Sequence, residues 1–227
     1  MYSVIIPAAG SGSRMNLGYN KLLHKVANQT IIEHTVRWFF NDIKCRQIII
    51  VINLVDQEKM ERLFERQPRI QFVIGSHSRG ESIYEGLKVV KEKIVLIHDG
   101  ARPFINQQMI DDCYDQAAKD FGAICAVVPK DTIKMRHTSR SDMIGSTLNR
   151  EQLLAVQTPQ AFPTDILLKA NELAKRTNFL ELATDDASIV EKFTEVAVKV
   201  VAGDYKNIKF TTPEDIDYFE FLLRRRF

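Results

Sequence analysis

Short apolar runs alternate with amphipathic stretches along most of the chain. Residues 2–7 (YSVIIP), 47–53 (QIIIVIN), 70–74 (IQFVI), 94–98 (IVLIH) and 123–128 (AICAVV) are rich in β-branched or small apolar side chains. Such near-continuous runs form strands covered on both faces. Between them lie segments with apolar positions three and four apart. Residues 30–41 place Ile31, Ile32, Val36 and Phe39 on one helical stripe behind a Thr30…Glu33 capping box. Residues 56–66 carry Met60, Leu63 and Phe64 amid charges, and residues 78–91 turn Ile83, Leu87 and Val90 inward. A further helix is predicted over 106–120. Strand–helix alternation of this kind predicts an α/β fold, a mostly parallel sheet flanked by helices.

The alternation stops after residue 128. Residues 130–149 carry Thr132, Thr138, Ser139, Ser141, Ser146 and Thr147, many charges, and no helical stripe. A structureless run of ~20 residues is uncommon in a compact domain, so the segment is expected to be a projecting β arm. Regular structure resumes at 153–162, followed by helices over 165–176 and 185–192, a strand over 196–201 and a short extended piece at 208–210. The last helix is expected to open on Thr212-Pro213-Glu214-Asp215, with Thr212 as N-cap and two acids at the positive dipole end.

At 227 residues the chain suits one large domain, spanning 1–227. A net charge of +2 gives no reason to expect nucleic acid or an anionic membrane as partner, so any anion site must be a local cluster. Cys45, Cys113 and Cys125 lack any metal-ligand spacing and read as reduced, buried thiols, which suits a cytoplasmic protein. No apolar run approaches the ~20 residues of a membrane helix. The apolar N-terminal run has no basic start and no long hydrophobic region, so it is not expected to be a signal peptide.

The candidate chemistry begins with residues 4–21, VIIPAAGSGSRMNLGYNK. An apolar strand breaks at Pro7 into small residues, Ala8, Ala9, Gly10, Ser11, Gly12 and Ser13, and two cations follow, Arg14 and Lys21. Backbone with little side-chain bulk brings several N–H groups to one anion, and adding Arg and Lys makes phosphate the natural guest. Met15 stands where a dinucleotide fingerprint needs its third small residue, and no Gly-Lys-Ser/Thr follows for a P-loop. Two more polar clusters follow predicted strands, residues 75–82 and 98–102. Ligands of open α/β sheets sit at the carboxyl ends of strands, so the three clusters are expected to converge.

These motifs resemble a known family. PAAGSGSRM followed by NK is similar to the start of the sugar-phosphate nucleotidyltransferases. HDGARPF (98–104), DTIK (131–134), Arg150, QTPQAF (157–162), TDDAS (184–188) and NIKFTTPED (207–215) narrow the resemblance to the cytidylyltransferases that act on 2-C-methyl-D-erythritol 4-phosphate. The resemblance implies a Rossmann-like α/β fold with a β arm, at about 130–150, used for dimerisation. It implies transfer of a cytidylyl group from CTP to methylerythritol phosphate, with Mg²⁺ as cofactor, in non-mevalonate isoprenoid synthesis. Arg14 and Lys21 match the pair that stabilises the triphosphate, and Arg150 and Lys209 the pair that holds the attacking phosphate. Ala8, Ala9, Gly10, Ser11, Gly12, Gly75, Ser76 and Ser82 match the CTP side. Asp99, Arg102, Thr132, Thr158 and Thr184 match contacts to the second substrate. The metal ligands are not identifiable from the sequence. His77 stands where the family often has an acid and reads as a loop residue; His98, ending a buried run, reads as a structural histidine. The alternatives are a ribitol-5-phosphate cytidylyltransferase, disfavoured by Ala101 and TDDAS, and a non-catalytic nucleotide-binding regulator, disfavoured by the retention of all four cations. A homodimer exchanging arms is expected, placing Thr132 and Arg150 in the partner's pocket.

Overall fold

The structure, a computed structural model, describes residues 1–10, 18–140 and 142–224. Its strands are β1 (Tyr2–Pro7), β2 (Lys25–Val26), β3 (Gln29–Thr30), β4 (Cys45–Ile52), β5 (Ile70–Ile74), β6 (Ile94–Ile97), β7 (Gly122–Val127), β8 (Lys134–Arg136), β9 (Ile144–Thr147), β10 (Ala155–Pro163) and β11 (Val198–Ala202). Its helices are α1 (Ile31–Asn41), α2 (Gln57–Leu63), α3 (Arg79–Leu87), α4 (Gln107–Ala117), α5 (Thr164–Arg176), α6 (Asp186–Phe193) and α7 (Glu214–Arg224). One seven-stranded sheet has the order β11-β7-β10-β6-β1-β4-β5. All neighbours are parallel except β10, which runs antiparallel to both β6 and β7.

Side chains alternate between two cores along each central strand, as a pleated strand requires. Val4, Ile6, Ile48, Ile50 and Leu96 face a layer that includes α1, α4 and α7. Ile5, Ile49, Val51, Val95 and Ile97 face α3, α5 and α6. The helices start where polar caps allow. Thr30 and Glu33 form the expected capping box of α1, and Ser78, Asn106 and Asp185 cap α3, α4 and α6.

The arm is a two-stranded antiparallel hairpin, with Lys134 paired to Thr147 and every residue of β8 and β9 exposed. The extended piece expected at 208–210 is held by its Phe210 N–H, which donates to Ala101 O at 2.9 Å. The last helix begins at Glu214, and the Asp215 carboxylate helps fix its entry by accepting from the N–H groups of Thr211 and Thr212 at 2.7 and 2.9 Å. The small β2–β3 hairpin was not foreseen; it turns through Ala27 and Asn28 at φ of 50° and 66°.

Candidate active site

The chain lays β4 and β5 on one side of β1, then returns to lay β6 on the other. A crevice opens at such a reversal, outside the carboxyl ends of the strands. Here a cavity of about 370 Å³ is lined by Ala8, Ala9 and Gly10 after β1, by Ser76, His77 and Arg79 around the α3 start, and by Lys21, Asp99 and Lys209. Ser82 also faces it. Beside it a second cavity, about 450 Å³, is lined by Arg102, Thr158, Thr184, Asp185 and Gln160. Arg79, Asp99 and Lys209 line both and form the wall between them.

Local structure explains each placement. Asn20 anchors the segment that carries Lys21: its amide donates to Ala8 O and to Asp56 Oδ2, both at 2.9 Å, and its Oδ1 accepts from Leu22 N–H at 3.1 Å. Lys21 Nζ donates to Phe210 O. Gly75 lines neither cavity but is required beside the first: a Cβ there would lie 2.8 Å from Ser82 Oγ and 2.9 Å from Ala9 Cβ. Ser82 Oγ in turn accepts from Ser76 N–H at 3.0 Å and so shapes this turn as well as lining the cavity.

Asp99 is the electrostatic centre. Lys209 Nζ lies 2.9 Å from Oδ2, Arg102 Nε 3.3 Å from the same oxygen, and Arg79 Nε 3.8 Å from Oδ1. Burial alone would raise the Asp99 pKa; Lys209, Arg79 and Arg102 outweigh it and hold the carboxyl well below the usual carboxylate range. Arg79 also pairs with the buried Asp186 at 2.8 Å. For Asp186 burial prevails over that guanidinium, raising its pKa above the ordinary value.

The loop carrying Lys209 is braced to β10. Gln157 donates to Asp204 O at 2.9 Å, and Asn207 donates to Thr158 O at 2.9 Å. Arg102 Nη1 donates to Asn207 O at 2.6 Å. Gln160 receives the N–H groups of Asp186 and Ala187, both at 3.1 Å, and so seats the first turn of α6.

His98 is fully buried, and burial lowers its pKa to about 4. Its Nε2 lies 3.0 Å from Arg102 O and its Nδ1 3.0 Å from Thr158 Oγ1. A carbonyl only accepts, so Nε2 carries the proton and Thr158 donates to Nδ1. Thr158 Oγ1 also accepts the Asp99 N–H at 3.0 Å. The Thr158 hydroxyl therefore holds the Asp99 loop, a bracing role that the sequence did not reveal, and its proton is already committed.

The structure thus brings together Ala8, Ala9, Gly10, Ser76, Ser82, Lys21, Asp99, Arg102, Thr158, Thr184 and Lys209. Ser11, Gly12 and Arg14 lie outside the described residues. Thr132 and Arg150 line neither cavity; both are exposed at the base of the arm, where Arg150 Nη1 donates to Lys130 O at 2.6 Å. Sequence reasoning missed Arg79. A signal was present: a cation in the first turn of a helix opposes the dipole and asks for nearby acids. Gln160 and Asp185 stood inside quoted motifs without a role. Among the described residues no group of three His, Cys, Asp or Glu side chains is placed to hold a metal ion.

The family described as IspD, 2-C-methyl-D-erythritol 4-phosphate cytidylyltransferase, matches residues 2–225. A relative of that name from Bacillus velezensis is 44% identical over 227 residues, covering 98% of this chain and 96% of the relative. Another, from Bacillus pumilus, is 45% identical over 219 residues, covering 95% and 93%. Among solved structures, 4-diphosphocytidyl-2C-methyl-D-erythritol synthase from Anaerococcus prevotii superposes with a TM-score of 0.87 at 33% identity, over 99% of each chain. The 2-C-methyl-D-erythritol 4-phosphate cytidylyltransferase of Francisella tularensis gives 0.82 at 30% identity, over 97% of this chain and 98% of that one.

Proposed function

The chain belongs to the 2-C-methyl-D-erythritol 4-phosphate cytidylyltransferase family, and from that premise we propose how its two cavities divide the reaction. It transfers a cytidylyl group from CTP to methylerythritol phosphate, giving 4-diphosphocytidyl-2-C-methyl-D-erythritol and pyrophosphate in isoprenoid precursor synthesis. A phosphate oxygen of methylerythritol phosphate attacks the α-phosphorus of CTP. A new P–O bond forms as the bond to the β-phosphate bridge breaks, and pyrophosphate leaves.

The first cavity takes the nucleotide. The small side chains of Ala8, Ala9 and Gly10 let backbone N–H groups approach phosphate oxygens, and Lys21 meets the charge that builds on the triphosphate. Arg14, outside the described residues, is assigned the same charge by its match to the family pattern. The second cavity takes the acceptor, with Lys209 and Arg102 on its phosphate and Thr184 on its hydroxyls.

The observation that carries this reading is the Lys209–Asp99 pair in the shared wall. A phosphate monoester is an ionised nucleophile already and needs no general base. Asp99, held ionised by its cations, cannot donate a proton; it accepts from an acceptor hydroxyl and orients Lys209. His98, neutral and sealed, holds its loop and takes no part in proton transfer. Such a transfer rests on alignment and charge neutralisation rather than covalent help.

Mg²⁺ is proposed to enter on the triphosphate, held by phosphate oxygens and water. The described residues offer it no cage, because Asp99 is engaged by three cations. Bound in that way it would neutralise triphosphate charge. The protein is proposed to act as a cytoplasmic homodimer. Its three free, buried thiols support the compartment. The exposed arm, with Met135, Met143 and Ile144 uncovered, supports exchange of arms between copies. Thr132 and Arg150 would then act in the partner's pocket.

The test is pyrophosphate release from CTP with Mg²⁺, comparing methylerythritol phosphate with ribitol 5-phosphate. Release with the first and little with the second is expected; no release with either removes the reading.

A further inference from the structure

Two polar side chains behind the first cavity, Asn20 and Asp56, are nearly sealed from solvent, at 4% and 6% exposure, and line neither cavity. They meet each other. Asn20 Nδ2 donates one proton to Asp56 Oδ2 and the other to Ala8 O, both at 2.9 Å. Its Oδ1 accepts from Leu22 N–H at 3.1 Å, so both donors and the acceptor of the amide are spent. Asp56 stands at the N-cap position of α2, where an aspartate ordinarily accepts from the first N–H groups of the helix. Here its side chain makes no cap bond. It forgoes that local stabilisation and holds the Asn20 amide instead. The Asp56 N–H is itself fixed by Asn53 Oδ1 at 2.7 Å, so the acceptor is steadied from behind. A residue that breaks its local rule points to a demand made elsewhere in the fold.

We propose that Asn20 is a positioning residue for the transfer reaction, acting through Lys21, and that Asp56 fixes the orientation of its amide. The proposal rests on the nucleotide reading of the first cavity. Asn20 caps the single helical turn Lys21–Leu23, and the bond to Ala8 O ties that turn to the end of β1. Lys21 thus reaches the cavity from backbone anchored on two sides. A flipped amide would set its oxygen against Ala8 O and the Asp56 carboxylate, which only accept, and its N–H groups against the Leu22 N–H. The turn therefore has one seat. A cation that neutralises charge in the transition state acts only from the right place, so a small shift of the turn falls on turnover rather than on acceptor binding.

The test is steady-state pyrophosphate release by the full-length protein and its variants. Asn20→Asp sets a carboxylate oxygen against Ala8 O and Asp56, and is expected to lower kcat by ~10–100-fold, the scale of one charge-assisted hydrogen bond. Asp56→Ala leaves Asn20 in place but frees its amide, and is expected to lower kcat by about tenfold. KM for methylerythritol phosphate is expected to hold in both. Adding Asp56→Asn to Asn20→Asp restores a donor–acceptor link of reversed polarity and should recover about tenfold over Asn20→Asp alone. In a Lys21→Ala background, Asn20→Asp should cost nothing further, because the group it positions is gone. Melting temperatures confirm that each variant folds; if Asn20→Asp does not, Asp56→Ala in the two backgrounds carries the same comparison. An unchanged kcat in the folded variants, a loss confined to KM, no recovery by the exchanged pair, or a full further loss in the Lys21→Ala background overturns the proposal. Normal turnover by Lys21→Ala itself removes the nucleotide reading, and this proposal with it.

Discussion

Lys209 and Arg150 are matched to one task, holding the attacking phosphate, yet they stand in opposite surroundings. Lys209 sits in a braced hub, 2.9 Å from a carboxylate with only 9% of its side chain exposed, in a loop tied to β10 by Gln157 and Asn207. Arg150 sits in the open at the foot of a hairpin, bonded to a single carbonyl of its own chain. One cation is held in place by its own fold. The other has no such bracing among the described residues, which is what the proposed exchange of arms would leave to a second copy. A motif names the residue type needed at a site; burial and bracing tell whether one chain completes it.

The sharpest break comes from the arm. Replacing residues 134–147 with a short turn is expected to give a monomer without measurable turnover, checked by sedimentation and pyrophosphate release. A fully active monomer would return Arg150 to an ordinary surface role. Next, Lys209→Ala and Arg150→Ala are each expected to lower kcat by ~10²–10³-fold, the usual cost of one transition-state contact. Mixed together, the two inactive proteins should recover roughly a quarter of normal turnover, because mixed dimers with exchanged arms each carry one intact site. No recovery means that both cations serve the same chain's site.

A third effect belongs to the braced region alone. His98 has a folded pKa of about 4, below the ordinary 6.5. The fold excludes its protonated form, so the stability it contributes is full above pH 6.5 and falls as pH drops through 4. The loss is on the order of 3 kcal/mol. Asp99 extends the decline: its depressed pKa contributes stability above the ordinary carboxylate value, lost as pH falls toward the folded value. Urea midpoints at pH 7 and 4.5 read the slope; a His98→Gln variant with the same slope would absolve the histidine. Smallest, Thr158→Val is expected to cost about 1–3 kcal/mol by stranding the Asp99 N–H and His98 Nδ1. It should raise KM for methylerythritol phosphate more than KM for CTP; equal rises would deny the loop its selective role.

Much of the fold was legible because the strands are buried on both faces and write themselves as apolar runs. The direction of β10 was not, since an apolar pattern is the same read either way; only pairing with β6 and β7 sets it. The β2–β3 hairpin was missed because two-residue strands carry no periodicity, and Ala27 at positive φ breaks the usual residue preference. At the site, the loops after β1, β5 and β6 could be placed by a rule about strand ends. Arg79 could not, because its partners Asp99 and Asp186 come from distant stretches of chain. Thr158 shows the reverse limit: the motif marked it as a substrate contact and it lines the second cavity, but only hydrogen-bond geometry shows that its proton is spent on His98.

Phe210 joins the two halves of the site more closely than either cavity suggests. Its carbonyl receives Lys21, its N–H is held by Ala101, and its preceding neighbour is Lys209. On the proposed division of the site, the grip on the departing pyrophosphate and the grip on the incoming acceptor would thus hang from one stretch of backbone. Such an arrangement surrenders independence. A lineage adapting this enzyme to a new acceptor by shifting residues beneath Phe210 inherits an altered hold on the nucleotide in the same step, so changes in preference for the two substrates will travel together through its descendants.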